Sequence, residues 1–496
     1  MQLEVLTTSG AVRGAPSGSV VAFRGIPYAA PPFGDLRFAA PVPPARWEGV
    51  RDCTSYGPTA PKPPYPSPVD LLLPEPVIPG EEVLNLNVWT PDPSAGGLPV
   101  LVWIHGGAFV NGSGAVPQYD GTAFARDGVV VVTINYRLGV DGFLHFDDGG
   151  PANRGLLDQV AALEWVRDNI AAFGGDPGNV TIAGESAGAM SVTTLLSMPR
   201  AAGLFRRAVA QSGAGHHALT AATARRVAGY LAERVGVPLK REALAEVPLA
   251  DLVTAQRALS EEAALAPDPA RWAEITLNAM VYEPVVDGDV LPALPIEGIR
   301  AGAGAAVDVL TGANSDEHTL FLVPNGLVDV VTEGLLRLAL AGYGLDADEA
   351  IGTYRALDPS ATPGDLLVKI ATDWFFRLPA IRLAEARAGG PGRTYLYEFA
   401  WPSPQFGGRL GACHALEIAF VFDTLRTEGV EPLAGPAAPQ ELADEMHAAW
   451  VRFVRDGDPG WPVYDPATRP VQVFGVPSAV VPDPRGVQRA LWDGVR

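Results

Sequence analysis

Cysteine is scarce in this chain, with only Cys53 and Cys413 among 496 residues. Two thiols so far apart argue against a secreted, disulfide-built scaffold. Long apolar runs are missing too. No stretch approaches the roughly 18 residues needed to span a bilayer, and the opening MQLEVLTTSGAVRG has no basic segment followed by an apolar one. The expectation is a cytoplasmic protein without a membrane partner. Basic residues are in deficit, 36 Lys and Arg against 56 Asp and Glu, for a formal charge of -20. Such a field repels phosphate backbones and anionic head groups, which argues against nucleic acid as a partner. Cysteine and closely spaced histidine are too few for a metal-ligand set, so no metal is expected.

What is present is apolar. Hydrophobic residues make up 48% of the chain and charged ones 19%, enough to bury a large core. Short β-rich runs, 98–106, 128–137, 178–186, 205–213 and 307–317, alternate with helical stretches and read as buried parallel strands. Between the second and third, Leu156, Val160, Leu163, Val166 and Ile170 recur at steps of three or four, with Asp158, Glu164, Arg167 and Asp168 between them. That spacing predicts an amphipathic helix crossing a sheet face. The fold class expected is α/β, a central, mostly parallel sheet flanked by helices. Residues 56–80 are too proline-rich for helix or central strand and predict a long surface loop, either at the rim of a site or remote from it. Ala/Leu/Arg/Glu-rich stretches in 217–300 and 326–390 read as helical insertions. With no repeat and no flexible linker, residues 1–496 read as one domain.

The chemistry concentrates in a few motifs. Gly184-Glu185-Ser186-Ala187-Gly188 fits G-x-S-x-G, after the strand-like NVTIA and before the helix-compatible AMSVTTLLSM. A serine on such a strand-to-helix elbow presents its hydroxyl at a helix N-terminus, where developing negative charge is favoured. About 80 residues upstream the strand LPVLVWI runs into His105-Gly106-Gly107-Ala108-Phe109. A strand-end HGG supplies bare N–H groups for an oxyanion hole, completed by the residue after the nucleophile. The candidate donors are Gly106, Gly107 and Ala187.

The motifs and their order resemble the carboxylesterase type B family, which contains the cholinesterases and the bacterial para-nitrobenzyl esterases. The resemblance spans nearly the whole chain, through FRGIPYAAPPFGDLRFAAPVPPARWEG, LNLNVWTP, NYRLGVDGF and GLLDQVAALEWVRDNIAAFGGDPGNVTIAGESAGA. It implies an α/β-hydrolase fold and places the acid at Glu317, in Asn314-Ser315-Asp316-Glu317-His318, with Asp316 as the alternative. His318 stands where the family usually has glycine and would either alter the local turn or bring a second imidazole near the acid. The base implied is His414, in a segment resembling H-x-x-E-x-x-F. The chain order Ser186, Glu317, His414 is also that of an α/β-hydrolase triad. Ser212 matches a family serine that hydrogen-bonds near the acid. His216 and His217 either line the acyl side of the pocket or are ordinary loop histidines. Where many animal members have a cysteine, this chain reads Glu81-Glu82-Val83-Leu84, so the usual first disulfide cannot form and Cys53 is expected as a free thiol.

The mechanism implied is ester hydrolysis through an acyl-enzyme, with no cofactor, on a small-molecule ester by a monomer or weak homo-oligomer. The bacterial members suggest short to medium acyl groups with bulky or aromatic alcohols. A carbamate, amide or single-ester specialist stays open because a triad serves any acyl group its pocket admits. So does an inactive interaction protein, the fate of members that lost the triad. Trp89, Phe109, Tyr119, Trp374 and Phe375 would serve either as gorge lining or as core.

Overall fold

The structure is a computed structural model that describes residues 3–496. Its centre is an 11-stranded sheet. In chain order the strands are β1 Ala15–Ser17, β2 Val20–Pro27, β3 Asn85–Thr90, β4 Leu98–Ile104, β5 Val130–Ile134, β6 Gly175–Glu185, β7 Arg207–Gln211, β8 Asp308–Asn314, β9 Thr394–Phe399, β10 Pro470–Phe474 and β11 Ala479–Pro482. Across the sheet they lie in the order β11-β10-β9-β8-β7-β6-β4-β5-β3-β2-β1. From β10 to β5 every neighbouring pair is parallel, and the strands beyond each end pair antiparallel. All five strand runs read from the sequence fall in this parallel region.

Those runs are apolar at nearly every position because both sheet faces are covered. Alternate residues enter opposite cores, as the period of two requires. Val100, Val102, Ile104, Val130, Val132 and Ile182 pack on one face, whereas Leu101, Trp103, Val131 and Ala183 pack on the other. The first face is covered by α1, Arg154–Asn169, and α2, Ala187–Ser197, and the second by α3, Gln440–Asp456. Further helices, including Ala221–Arg234, Leu249–Leu265, Glu333–Tyr343 and Pro363–Thr372, lie in 217–300 and 326–390. The proline-rich stretch 56–80 holds one short 3-10 turn, Val69–Leu71, and no other helix or strand. No helix among the described residues is long and apolar enough to cross a membrane.

Helix α1 departs from the simple amphipathic reading at Asp158, which is fully buried. Its carboxylate accepts from Arg137, with Oδ2 taking Nε at 2.8 Å and the backbone N–H at 3.0 Å, and Oδ1 taking Nη2 at 2.7 Å. The pair ties the segment leaving β5 to the helix over the sheet. Removing one member of a buried pair strands the other charge, so Asp158→Ala should lower stability by about 3–5 kcal/mol. Urea unfolding measures this, and a loss below about 1 kcal/mol would show that Arg137 finds another partner or solvent.

Candidate active site

The site forms at the carboxyl ends of the parallel strands, the edge where α/β sheets bind ligands. Ser186 lies between β6 and α2 at φ 58° and ψ -125°. Such strain persists only where the surroundings hold it. The Ser186 N–H donates to Gln211 O at 2.9 Å, and its carbonyl accepts from Met190 N at 2.9 Å. Close approach does the rest: a Cβ on Gly188 would lie 2.0 Å from Ile104 O, and one on Gly184 would lie 2.6 Å from that same oxygen. Only glycine lets β4, β6 and α2 meet this tightly.

The HGG segment follows β4. A Cβ on Gly106 would stand 3.0 Å from Ser186 Cβ and 2.7 Å from Glu185 O, which sets this backbone directly against the serine. His105 is committed to its neighbours. It stacks on Tyr136 with ring centroids 4.4 Å apart, its Nδ1 meets Gly106 O at 2.8 Å, and burial lowers its pKa to about 3. Ala187 opens α2, so its N–H is one of the free donors of a helix N-terminus.

Glu317 and His414 meet although 97 residues separate them: Nδ1 of His414 lies 2.6 Å from Glu317 Oε2. Glu317 Oε1 accepts from Asn314 N at 2.7 Å. Asp316, the alternative acid, points elsewhere, its Oδ2 accepting from Ser315 Oγ at 2.8 Å and Ala412 N at 3.1 Å. Ser212 is buried at the end of β7, but its Oγ makes no hydrogen bond to Glu317, whose two oxygens are taken by His414 and Asn314. The support that the sequence assigned to Ser212 comes instead from the Asn314 backbone.

His318 does place a second imidazole beside the first. It is packed among Phe321, Phe375 and Phe376, and burial, with His414 nearby, lowers its pKa to about 3, so it stays neutral. His217 stacks on Phe375 at 4.9 Å and is also kept neutral, by burial and by Arg496. Of the five aromatic candidates, Phe375 makes these contacts, and it also packs on Phe376, which lies against His414. Trp89 and Phe109 are fully buried, Tyr119 packs on Trp103 and Phe422, and Trp374 packs on Tyr343 and Trp492. Cys53 and Cys413 are both buried and unpaired with each other.

Nothing in the sequence pointed to one contact, between Nε2 of His414 and Glu185 Oε1 at 3.0 Å. No hydrogen bond runs from Ser186 Oγ to this imidazole. Burial lowers the His414 pKa, but Glu185 and Glu317 outweigh it and hold it at about 9. Burial raises the Glu185 carboxyl well above its ordinary value, against the pull of His414. Glu185 raises His414 only through its ionised form, which the imidazolium favours and burial opposes. Glu417, taken up to about 7 mainly by burial, accepts from Gln211 Nε2 at 3.0 Å and Asn314 Nδ2 at 2.7 Å. Among the described residues no group of three or more His, Cys, Asp or Glu is disposed to hold a metal ion.

Residues 1–474 match the carboxylesterase family. The para-nitrobenzyl esterase of Bacillus subtilis (strain 168) is 38% identical over 511 residues, covering 99% of this chain and 98% of that protein. Phenmedipham hydrolase of Pseudarthrobacter oxydans is 37% identical, with 93% of each chain covered. The crystal structure of a Geobacillus stearothermophilus carboxylesterase superposes with a TM-score of 0.87 at 41% identity, over 99% of this chain and 100% of that one. The sheet described above is that of the α/β-hydrolase fold, and with similarity of this extent the chain belongs to the carboxylesterase family, serine hydrolases that act on carboxylic esters.

Proposed function

We propose that Ser186, His414 and Glu317 form the catalytic triad of a broad carboxylesterase of the para-nitrobenzyl esterase type. The observation that carries the assignment is the 2.6 Å contact between Glu317 and Nδ1 of His414, which leaves Nε2 on Glu185, the residue before Ser186 on the elbow. His414 takes the proton of Ser186 as Oγ attacks the ester carbonyl, and Glu317 stabilises the imidazolium. The N–H groups of Gly106, Gly107 and Ala187 hold the oxyanion, each donor contributing about 10²–10³ in turnover. The alcohol leaves with a proton from His414. Water, deprotonated by the same imidazole, then releases the acid. The reading requires no metal, nucleotide or flavin, and its substrate is a small-molecule ester, taken by a monomer or weak homo-oligomer. The presence of Ser186, Glu317 and His414 together with the HGG turn speaks against an inactive interaction protein. A single-substrate specialist is the second reading, favoured by the phenmedipham hydrolase and by a fumonisin B1 esterase of Sphingopyxis macrogoltabida, 35% identical over 92% of this chain.

For Nε2 to accept the serine proton it must leave Glu185, a rearrangement expected on substrate binding because catalytic hydrogen bonds often tighten only then. A raised pKa keeps the imidazole protonated, and thus useless as a base, to higher pH. In the free chain kcat/KM should therefore rise with pH along a limb centred well above the ordinary histidine value of about 6.5. Glu185→Gln removes one of the charges that raise it, and the limb should move to lower pH. A limb in the same place in both forms would show that Glu185 does not set the state of the base.

The decisive assay is release of para-nitrophenol from acetate, butyrate and octanoate esters, with organophosphate labelling. Wild type should turn over and label at Ser186, and Ser186→Ala should lose about 10⁴-fold or more while staying folded. Hydrolysis confined to a single ester would favour the specialist. Folded wild type that neither hydrolyses nor labels would sink the triad assignment.

A further inference from the structure

The proline-rich stretch 56–80 carries a buried ion pair that the mechanism above does not use. Lys62 and Glu75 are in contact, their side chains 1% and 10% exposed. Between them they engage both peptide groups of one residue: Lys62 Nζ donates to Gly112 O at 2.9 Å, and Glu75 Oε2 accepts from Gly112 N at 3.0 Å. The neighbouring Asn111 donates from Nδ2 to Pro63 O at 2.6 Å. The loop is thus fastened to Asn111–Gly112 by three hydrogen bonds.

Gly112 in turn is the surface on which the HGG backbone rests. A Cβ there would lie 2.3 Å from Gly106 O and 2.3 Å from His105 Nδ1, at a φ of +94°. On the other limb, Gly107 O accepts from Val110 N at 3.0 Å and Asn111 N at 2.8 Å. Gly106 O and the Gly107 N–H belong to one planar trans peptide and point in opposite directions. Holding the carbonyl against His105 and Gly112 therefore fixes where the Gly107 N–H points.

We propose that the Lys62–Glu75 pair is a positioning device for the oxyanion hole: by clamping Gly112 from behind, it sets the orientation of the Gly106–Gly107 peptide. This deepens the triad reading and rests on its assignment of Gly106 and Gly107 as donors. Stability alone is a poor reason to bury such a pair, since well-packed apolar residues of similar volume often replace one without loss. What apolar residues cannot do is grip the N–H and C=O of Gly112. Donor placement matters because a shift of about 1 Å costs on the order of 10² in rate.

The test is the double variant Lys62→Met/Glu75→Leu, assayed with para-nitrophenyl butyrate and with a trifluoromethyl ketone, whose tetrahedral adduct carries an oxyanion. The expected result is a folded protein whose kcat falls about 10- to 100-fold with KM within about threefold, and whose affinity for the ketone weakens in step. Organophosphate labelling of Ser186 checks that the nucleophile is intact. Should the double variant not fold, Glu75→Gln alone decides, because it keeps the shape and drops the charge. It should lose about three- to tenfold in kcat at unchanged KM. Folded variants with kcat within about twofold of wild type, or with a loss in KM alone, would overturn the proposal while leaving the triad standing. Inactive, unlabelled wild type would instead overturn the hydrolase reading.

Discussion

The backbone at Ser186 is the constraint on which the site depends. A non-glycine residue at φ 58° and ψ -125° costs on the order of 1–3 kcal/mol and survives only if its neighbours over-determine it. Here the determination is steric and comes from the sheet. Gly184 and Gly188 bring β6 and α2 onto the Ile104 carbonyl at the end of β4, and Gln211 at the end of β7 takes the Ser186 N–H. The same contact that strains the serine delivers the HGG turn to its side, because Gly106 lies only two residues beyond Ile104. The proposed nucleophile and oxyanion donors are therefore one construction.

Around it the protein buries more carboxylate than a single imidazole requires. Glu185, Glu317 and Glu417 all act on His414, and each is buried at 3% exposure or less. The arrangement is tolerable because partners are shared in a chain. Trp450 on α3 donates to Gln211 Oε1 at 2.9 Å, Gln211 and Asn314 both donate to Glu417, and the Asn314 N–H donates to Glu317. A helix on one sheet face is thereby coupled to the orientation of the acid at the sheet's edge. Buried polar groups in such a network rigidify it when satisfied, and most of these are.

How far the sequence could be read follows from how local each feature is. The parallel strands were legible because burial on both faces makes them continuously apolar, and Ser186 and Gly106 because each sits in a short motif with its strand attached. Glu317 and His414 came through resemblance and chain order, since nothing local marks a pair 97 residues apart. Asp158 misled because a helical wheel shows which face is apolar, not whether a charge on it has met an arginine from another element. Glu185 occupies the free position of G-x-S-x-G, where the motif places no demand. Lys62 and Glu75 lie in a stretch without periodicity, so no pattern in the chain could have paired them or set them on Gly112.

The two adjacent acids after β8 show how the fold divides labour over one residue of chain. Asp316 accepts from Ala412 N, while its own N–H donates to Ala412 O at 3.0 Å, and Thr319 Oγ1 reaches Leu410 O at 2.5 Å. These bonds fasten the loop that carries His414 to the end of the strand. Glu317 then needs only to meet the ring, and the His414 N–H donates to its carbonyl at 3.3 Å as well. An aspartate whose side chain is committed to backbone cannot also orient an imidazole, whereas the next residue faces the other way. Glu317 is the residue left to meet His414, because Asp316 is already engaged in bringing the histidine to it.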